Sequence, residues 1–415
     1  MRRPALTSSR SSTNALADRD FRRFLAGHVA ASMGVQMQNL AIGWELYERT
    51  GSALALGNVG LCQILPALCL WLLAGHTADR LDRRRIVQVS LLVMAACSLG
   101  LAAISAASGS VVWIYALLVL SGAARAFQQP ARSALVPLLV SRDRFPSAVT
   151  WSVTAFQLAS AVGPAVGGLA VAVAGGAMPV YVLDAGTSLT FCALLSSVAP
   201  RPQERSSSEM SFESLAAGIR YLRSARVVLA AISLDLFAVI LGGAIALLPI
   251  YSKDILGVGA AGLGWLRAAP SLGAIATSIV LAQGTTMARA GRAMLLSVAG
   301  FGVATIVFGL STSFALSLAM LFLTGAFDMV SVVIRHTLVQ VLTPDEMRGR
   351  VSAINGLFID LSNELGAWES GFVAYLLSPT ASVVLGGVGT LVVVAVVAVL
   401  FPGLRRYGKL GDPAT

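Results

Sequence analysis

Gly75-His-Thr-Ala-Asp79-Arg80-Leu-Asp82-Arg83-Arg84-Arg85 is a tight basic turn set between two long apolar runs, 53–74 and 86–107. Each run reaches the roughly 20 residues that cross a bilayer as a helix. The stretch therefore reads as the turn of a membrane-spanning helical hairpin. Ten further runs repeat the pattern, at 25–48, 111–131, 147–173, 180–199, 227–250, 262–283, 293–311, 314–341, 351–377 and 383–402. The predicted fold is all-α: a polytopic membrane protein with twelve transmembrane helices in two pseudo-symmetric six-helix halves.

Composition agrees. The 415-residue chain is 56% hydrophobic, with a mean hydropathy of +0.78, and only 12% of its residues are charged, against about 25% in a soluble domain. A membrane β-barrel would alternate polar and apolar residues, whereas these runs are apolar throughout.

The net charge of +10 has a topological reading. Of the 30 Lys and Arg residues, 24 fall in the termini and the even-numbered loops of the twelve-helix scheme, and only Arg49 and Lys253 in odd-numbered loops. By the positive-inside rule both termini are cytoplasmic. The basic excess thus calls for no nucleic-acid partner, and the lipid bilayer is the surface it answers to. Residues 1–24 are polar and basic, and the run after them is long enough to span, so it is expected to remain as the first helix and not to act as a signal peptide.

The expected organisation is a cytoplasmic N-terminal segment (1–24), an N-terminal half (25–199), a central cytoplasmic loop (200–226), a C-terminal half (227–402) and a cytoplasmic tail (403–415). Within the loop, Phe212 to Tyr221 has a helix-like pattern. A shift of 203 residues superposes the halves: Gly122 meets Gly325, Arg132 meets Arg335, Leu135 meets Leu338, Gly163 meets Gly366 and Gly168 meets Gly371. Two related repeats follow. A weaker echo of the basic turn lies at Gly284 to Arg292.

Cys62, Cys69, Cys97 and Cys192 all lie inside predicted spans, with no CxxC pair and no clustered histidine. Packing is their expected role, and neither a disulfide nor a metal site is anticipated. The chain has no GxxxxGK[ST] phosphate loop and no Ser-His-Asp or Cys-His set, so neither an enzyme nor a cofactor is expected.

Charges inside spans are costly, about 2.5 to 3.5 kcal/mol at mid-bilayer on insertion scales, and so mark cavities or pairs. Arg125 lies in span 4, Asp235 in span 7, Asp328 in span 10, and Asp360 and Glu364 in span 11. These five are the candidate proton-coupling residues; Glu45, Asp184 and Glu369 are weaker ones. Asp360 and Glu364 are four apart and share a helix face. Close, desolvated carboxylates hold protons more readily. The repeat maps Arg125 onto Asp328, which allows an ion pair across a central cavity. The alternative is that the carboxylates satisfy Arg335 or one another.

Three motifs resemble the major facilitator superfamily, and within it the twelve-helix exporters that include enterobactin-type siderophore exporters and macrolide efflux pumps. The likeness runs from Asp20-Phe-Arg-Arg-Phe24 to the last helix. The superfamily turn between helices 2 and 3 usually reads Gly-x-Leu-Ala-Asp-Arg-x-Gly-Arg-Arg-Arg. Gly75, Ala78, Asp79, Arg80, Arg83, Arg84 and Arg85 match it, whereas Thr77 replaces Leu and Asp82 replaces Gly. Arg125-Ala-Phe-Gln128 is similar to a buried-arginine motif linked to proton transfer, with Gln129 where glycine is usual. Gly163-Pro164-Ala-Val-Gly167-Gly168 is similar to an antiporter motif of helix 5.

The resemblance implies a small-molecule exporter driven by protons through alternating access, acting as a monomer in a bacterial inner membrane. It implies a central cavity whose candidate contacts are Gln36, Asn39, Gln63, Phe127, Gln128, Gln157, Arg335, Asn355 and Phe358. Siderophores and cationic drugs both remain open as substrates, as does a sensor that binds without transport. Asp79 would face the positive N-terminal end of span 11 and lock an inner gate; the arginines beside it serve either that gate or topology. Gly163, Gly167 and Gly168 permit close helix approach, and Pro164 a bend.

Overall fold

The computed structural model describes residues 14–199, 212–283, 287 and 289–408. Residues 200–211 of the central loop, part of the Gly284 echo and the two chain ends lie outside these. The N-terminal half consists of α1 (Arg19–Thr50), α2 (Ala53–Arg80), α3 (Arg83–Ala106), α4 (Val111–Leu139), α5 (Phe145–Ala174) and α6 (Met178–Ser196). A short helix, α7 (Phe212–Ser224), precedes the C-terminal half. That half begins with a broken span, α8 (Arg226–Leu241) and α9 (Leu248–Ile250), and continues with α10 (Gly259–Ala282), α11 (Ala290–Leu310), α12 (Phe314–Leu342), α13 (Asp345–Leu376) and α14 (Pro379–Leu400). A last turn, α15 (Pro402–Arg406), follows.

Among the described residues ten helices are long and apolar enough to cross a membrane. The two other long helices, α1 and α13, have 32 residues each and pack within the same bundle, α1 on α5 and α6, and α13 on α2 and α8. Their polar residues lower their hydropathy. Several of those residues face the interior, which explains how a helix can be too polar for a simple hydropathy test and still belong to the bundle.

Short-range chemistry sets the hairpins. Gly51, with φ 60°, ends α1 in the left-handed region, where a side chain would be strained. The Ser52 hydroxyl accepts from the Ala55 amide and starts α2. Asp82 starts α3 by accepting from the Arg84 amide at 2.9 Å. Helix α1 begins at Arg19, six residues before the expected apolar run, because hydropathy does not register its polar first turns. The seventh span, expected as continuous from 227 to 250, breaks after Leu241. There Gly243 presses on α13 so closely that a Cβ would lie 2.5 Å from the Gly366 carbonyl oxygen.

The repeat is visible in the helices. Helices α4 and α12 each have 29 residues and begin 203 residues apart, at Val111 and Phe314. The halves meet along two seams, α2 with α13 and α5 with α10. Outward-facing apolar side chains such as Val173, Val399 and Leu296, 81%, 74% and 71% exposed, face the position of lipid. Lipid is as apolar as they are, so close packing and not hydrophobic burial must hold the helices together.

Candidate functional site

The basic turn is tied to its own half. Arg83 donates to the Ala134 carbonyl of α4 at 3.1 Å, and Arg84 to the Val198 and Ser196 carbonyls at the end of α6, at 2.7 and 2.5 Å. The Arg84 guanidinium thus satisfies carbonyls left open at the end of α6 and sits at the negative end of that helix, while Arg83 ties the turn to the side of α4. Arg85 lies 3.7 Å from Asp82.

Both seams lie toward the end opposite this turn. On α5, Gly168 packs on α10 with no room for a side chain: a Cβ would be 2.5 Å from the Ala260 carbonyl oxygen and 2.8 Å from Gly264 Cα. Gly167 backs onto Met37, and Gly163 onto Gln36 and the Met33 carbonyl of α1. On the other seam Gly57 meets Gly371. Beyond them the Tyr47 hydroxyl of one half donates to the Asp254 carboxylate of the other. Lys253 lies 6.0 Å from the Trp44 and Tyr47 ring centroids. Glu45 is occupied by Arg49 at 2.5 Å and by the Tyr181 hydroxyl at 2.6 Å.

Between the halves lies a cavity of about 770 Å³, contiguous with a smaller chamber of about 340 Å³. Both have Asn39, Gln63, Arg267, Asp328, Asn363 and Glu364 in their walls. The larger one extends to His28 and Arg132, toward the basic turn. Asp360 and Asn363 line it and are solvent-exposed although both lie mid-helix. The seams close the opposite end, so water reaches them from the basic end.

The structure brings nine sequence candidates to this cavity: Arg125, Asp328, Asp360 and Glu364, with Gln36, Asn39, Gln63, Gln128 and Gln157. Pro164 also lines it. Arg125 donates to the Gln63 side-chain oxygen at 2.9 Å and forms no ion pair with Asp328 within 4 Å, contrary to the pairing the repeat allowed. Gln36 donates to Ser160 at 2.7 Å.

Five candidates lie elsewhere. Arg335 and Asp235 form a buried ion pair between α12 and α8, 3% and 7% exposed at their side chains, so neither faces the cavity. Phe127 packs on the Phe24–Leu135–Phe191 cluster and Phe358 on the Leu222–Ile354 cluster. Asn355 is buried, its side-chain oxygen without a hydrogen-bond partner.

Among the charged and titratable wall residues, three were missed as site residues: His28, Arg132 and Arg267. Arg267 reaches across the halves and donates to the Asn39 carbonyl at 3.3 Å. The same rule that flagged Arg125 applies to any in-span arginine; it would have found Arg267, whereas Arg132 falls one residue beyond the expected run 111–131.

Removing one member of a buried ion pair strands a charge, typically at about 3 to 5 kcal/mol, whereas replacing both with apolar residues is often near neutral. Asp235→Leu is therefore expected to lower the thermal stability of the purified protein sharply, and Asp235→Leu with Arg335→Leu to restore most of it. A double variant that folds but loses all ion coupling would contradict this structural role.

Two six-helix repeats around a charged central cavity, sealed at one end, are the architecture of a secondary transporter of the major facilitator fold. The structure of a bacterial homologue of the human lysosomal transporter Spinster, inward-facing and unoccupied, matches with a TM-score of 0.73 at 13% identity, covering 94% of this chain and 99% of that one. A POT family transporter in complex with 5-aminolevulinic acid matches equally, at 0.73 and 13%, covering 94% and 97%. The transmembrane secretion effector family matches residues 10–408, and the chain belongs to it. It is a multi-pass membrane transporter and not an enzyme. It is similar to the enterobactin exporter EntS of Shigella boydii and of Escherichia coli, 30% identical to each over 353 residues, 83% of this chain and 82% of those.

Proposed function

We propose that this protein exports a small organic molecule, a siderophore, by proton antiport across a bacterial inner membrane, as a monomer with both termini in the cytoplasm. The observation that carries the reading is the cavity in which Asp328, Asp360 and Glu364 face Arg125 and Arg267 beneath a sealed end. The likeness to enterobactin exporters supports the substrate class. With the basic end cytoplasmic, the conformation is inward-facing.

In this scheme a cavity carboxylate takes a proton from outside in the opposite state and releases it to the cytoplasm in the state described. Substrate then enters, and the halves rock about the cavity. Coupling requires only that proton and substrate favour different states or exclude one another. One proton crossing ~100 mV releases ~2.3 kcal/mol, enough for a gradient of about 50-fold.

Asp79 would act in the outward-facing state, meeting the N-terminal end of α13 as the basic end closes. Such a contact is worth ~0.3 to 1 kcal/mol exposed and up to ~2 partly buried, the size of bias that sets a two-state equilibrium. Asp79→Asn is expected to slow transport several-fold with normal membrane insertion. Unchanged flux in vesicles would leave Asp79 as a topology residue.

The acidic wall favours a second reading, efflux of a cationic drug. The deciding experiment follows proton movement in proteoliposomes offered catecholate and hydroxamate siderophores beside macrolides and cationic dyes. Proton release driven by a siderophore establishes the first reading, and release driven by a dye the second. Binding without flux would make the protein a sensor.

A further inference from the structure

The 203-residue repeat sets Arg132 on α4 against Arg335 on α12, and Ser32 on α1 against Asp235 on α8. In the C-terminal half the two form the buried ion pair that neutralises Arg335. In the N-terminal half the carboxylate is replaced by a hydroxyl. Arg132 instead lies 3.3 Å from His28 Nδ1, and Ser32 Oγ also lies 3.3 Å from that atom. A nitrogen that accepts from Arg132 belongs to a neutral ring. Among the described residues no carboxylate lies within 4 Å of the Arg132 guanidinium, and Arg132, His28 and Ser32 all line the large cavity.

A guanidinium inside a membrane protein without a carboxylate is costly unless a ligand or water answers it. The C-terminal half shows the solution a purely structural arginine takes at the equivalent place. Arg125 lies seven residues before Arg132, two turns along the same face of α4, and also lines the cavity. From these observations we infer that Arg132, with Arg125, forms an anion-binding site on the N-terminal wall of the cavity, and that it takes a carboxylate of the transported molecule. The inference rests on the transporter reading and deepens it. The substrate presents an anionic group to the N-terminal wall, and His28 holds Arg132 in place without neutralising it. Planar bidentate pairing with oxyanions suits arginine better than lysine.

The test uses the full-length protein in nanodiscs of phosphatidylcholine alone. The probes are citrate, 2,3-dihydroxybenzoate and the uncharged amide of the latter, followed by calorimetry. The wild type is expected to bind the anions and to prefer 2,3-dihydroxybenzoate over its amide by about tenfold or more. Arg132→Gln should remove that preference, and Arg132→Lys should restore part of it. Ser32→Asp should rebuild the ion pair of the other half and abolish anion binding while keeping or raising thermal stability. Equal affinity for anion and amide, absence of anion binding in the wild type, or full anion binding in Ser32→Asp would each overturn the site. Nanodiscs doped with phosphatidylglycerol separate the two sources of anion: competition by the doped lipid alone, with no competition by the soluble anions, would assign the site to a lipid headgroup and overturn the substrate assignment. Proton-coupled flux that persists in Ser32→Asp would reject the anion site and leave the transporter reading intact. Anion binding in a protein that moves no substrate would reject the transporter reading instead.

Discussion

In proteoliposomes carrying Glu364→Gln, uphill export driven by pH or membrane potential is expected to vanish while substrate binding persists. Glu364 stands where the two chambers meet, in the walls of both. Its helix is held there by the α2–α13 seam, where a Cβ on Gly60 would lie 2.5 Å from the Glu364 carbonyl oxygen. The backbone is therefore fixed across the halves, and the side chain reports to whichever side the cavity opens. Glutamine keeps the shape but neither binds nor releases a proton. The loss is the whole driving force, ~2.3 kcal/mol per ~100 mV, so the steady-state gradient should fall from about 50-fold to unity. Exchange of labelled for unlabelled substrate, which needs no proton, should survive. A full gradient in Glu364→Gln would remove it from the coupling scheme and turn attention to Asp328 and Asp360.

Gly168→Leu is expected to be nearly as damaging for a different reason. The added carbons would meet backbone, the Ala260 carbonyl and Gly264 Cα, and not the movable end of a side chain. Backbone cannot yield without parting α5 from α10. Overpacking of this kind typically costs about 1 to 3 kcal/mol, and here the cost falls mainly on the conformation whose seam it fills. A shift of about 2 kcal/mol changes a two-state population some 30-fold. A cysteine placed at Ala67, on the cavity wall, should then react more slowly with an impermeant maleimide applied from the basic side, and export should fall more than tenfold. Normal labelling and normal export would show that the seam tolerates separation.

The residues that sequence reasoning placed well share one property: their chemistry alone makes them exceptional in a membrane. Arg125, Asp328, Asp360 and Glu364 are charges inside apolar runs, and all four face the cavity. Asp235 and Arg335 are equally exceptional, yet they satisfy each other. The aromatic and amide candidates divided by helical rotation. Gln128 lines the cavity and Phe127 packs in the core, because adjacent residues are about 100° apart around a helix of 3.6 residues per turn. His28 gave no signal in one dimension, since a lone histidine in a span becomes informative only beside Arg132.

Hydropathy and the 203-residue repeat established a twelve-helix bundle of two related halves, because each depends on residues summed along the chain. The basic turn and the glycine motif were equally plain. Tertiary structure alone decided which buried charges are neutralised and which face the cavity. It also showed that the arginines of the basic turn bond to α4 and to the end of α6 and that the seams close the opposite end. Each of these depends on the rotation of a helix about its axis and on which helix stands next to it. A repeat can preserve an arginine in register at Arg132 and Arg335 and still change its meaning, because the partner comes from another helix, as Ser32 in one half and Asp235 in the other.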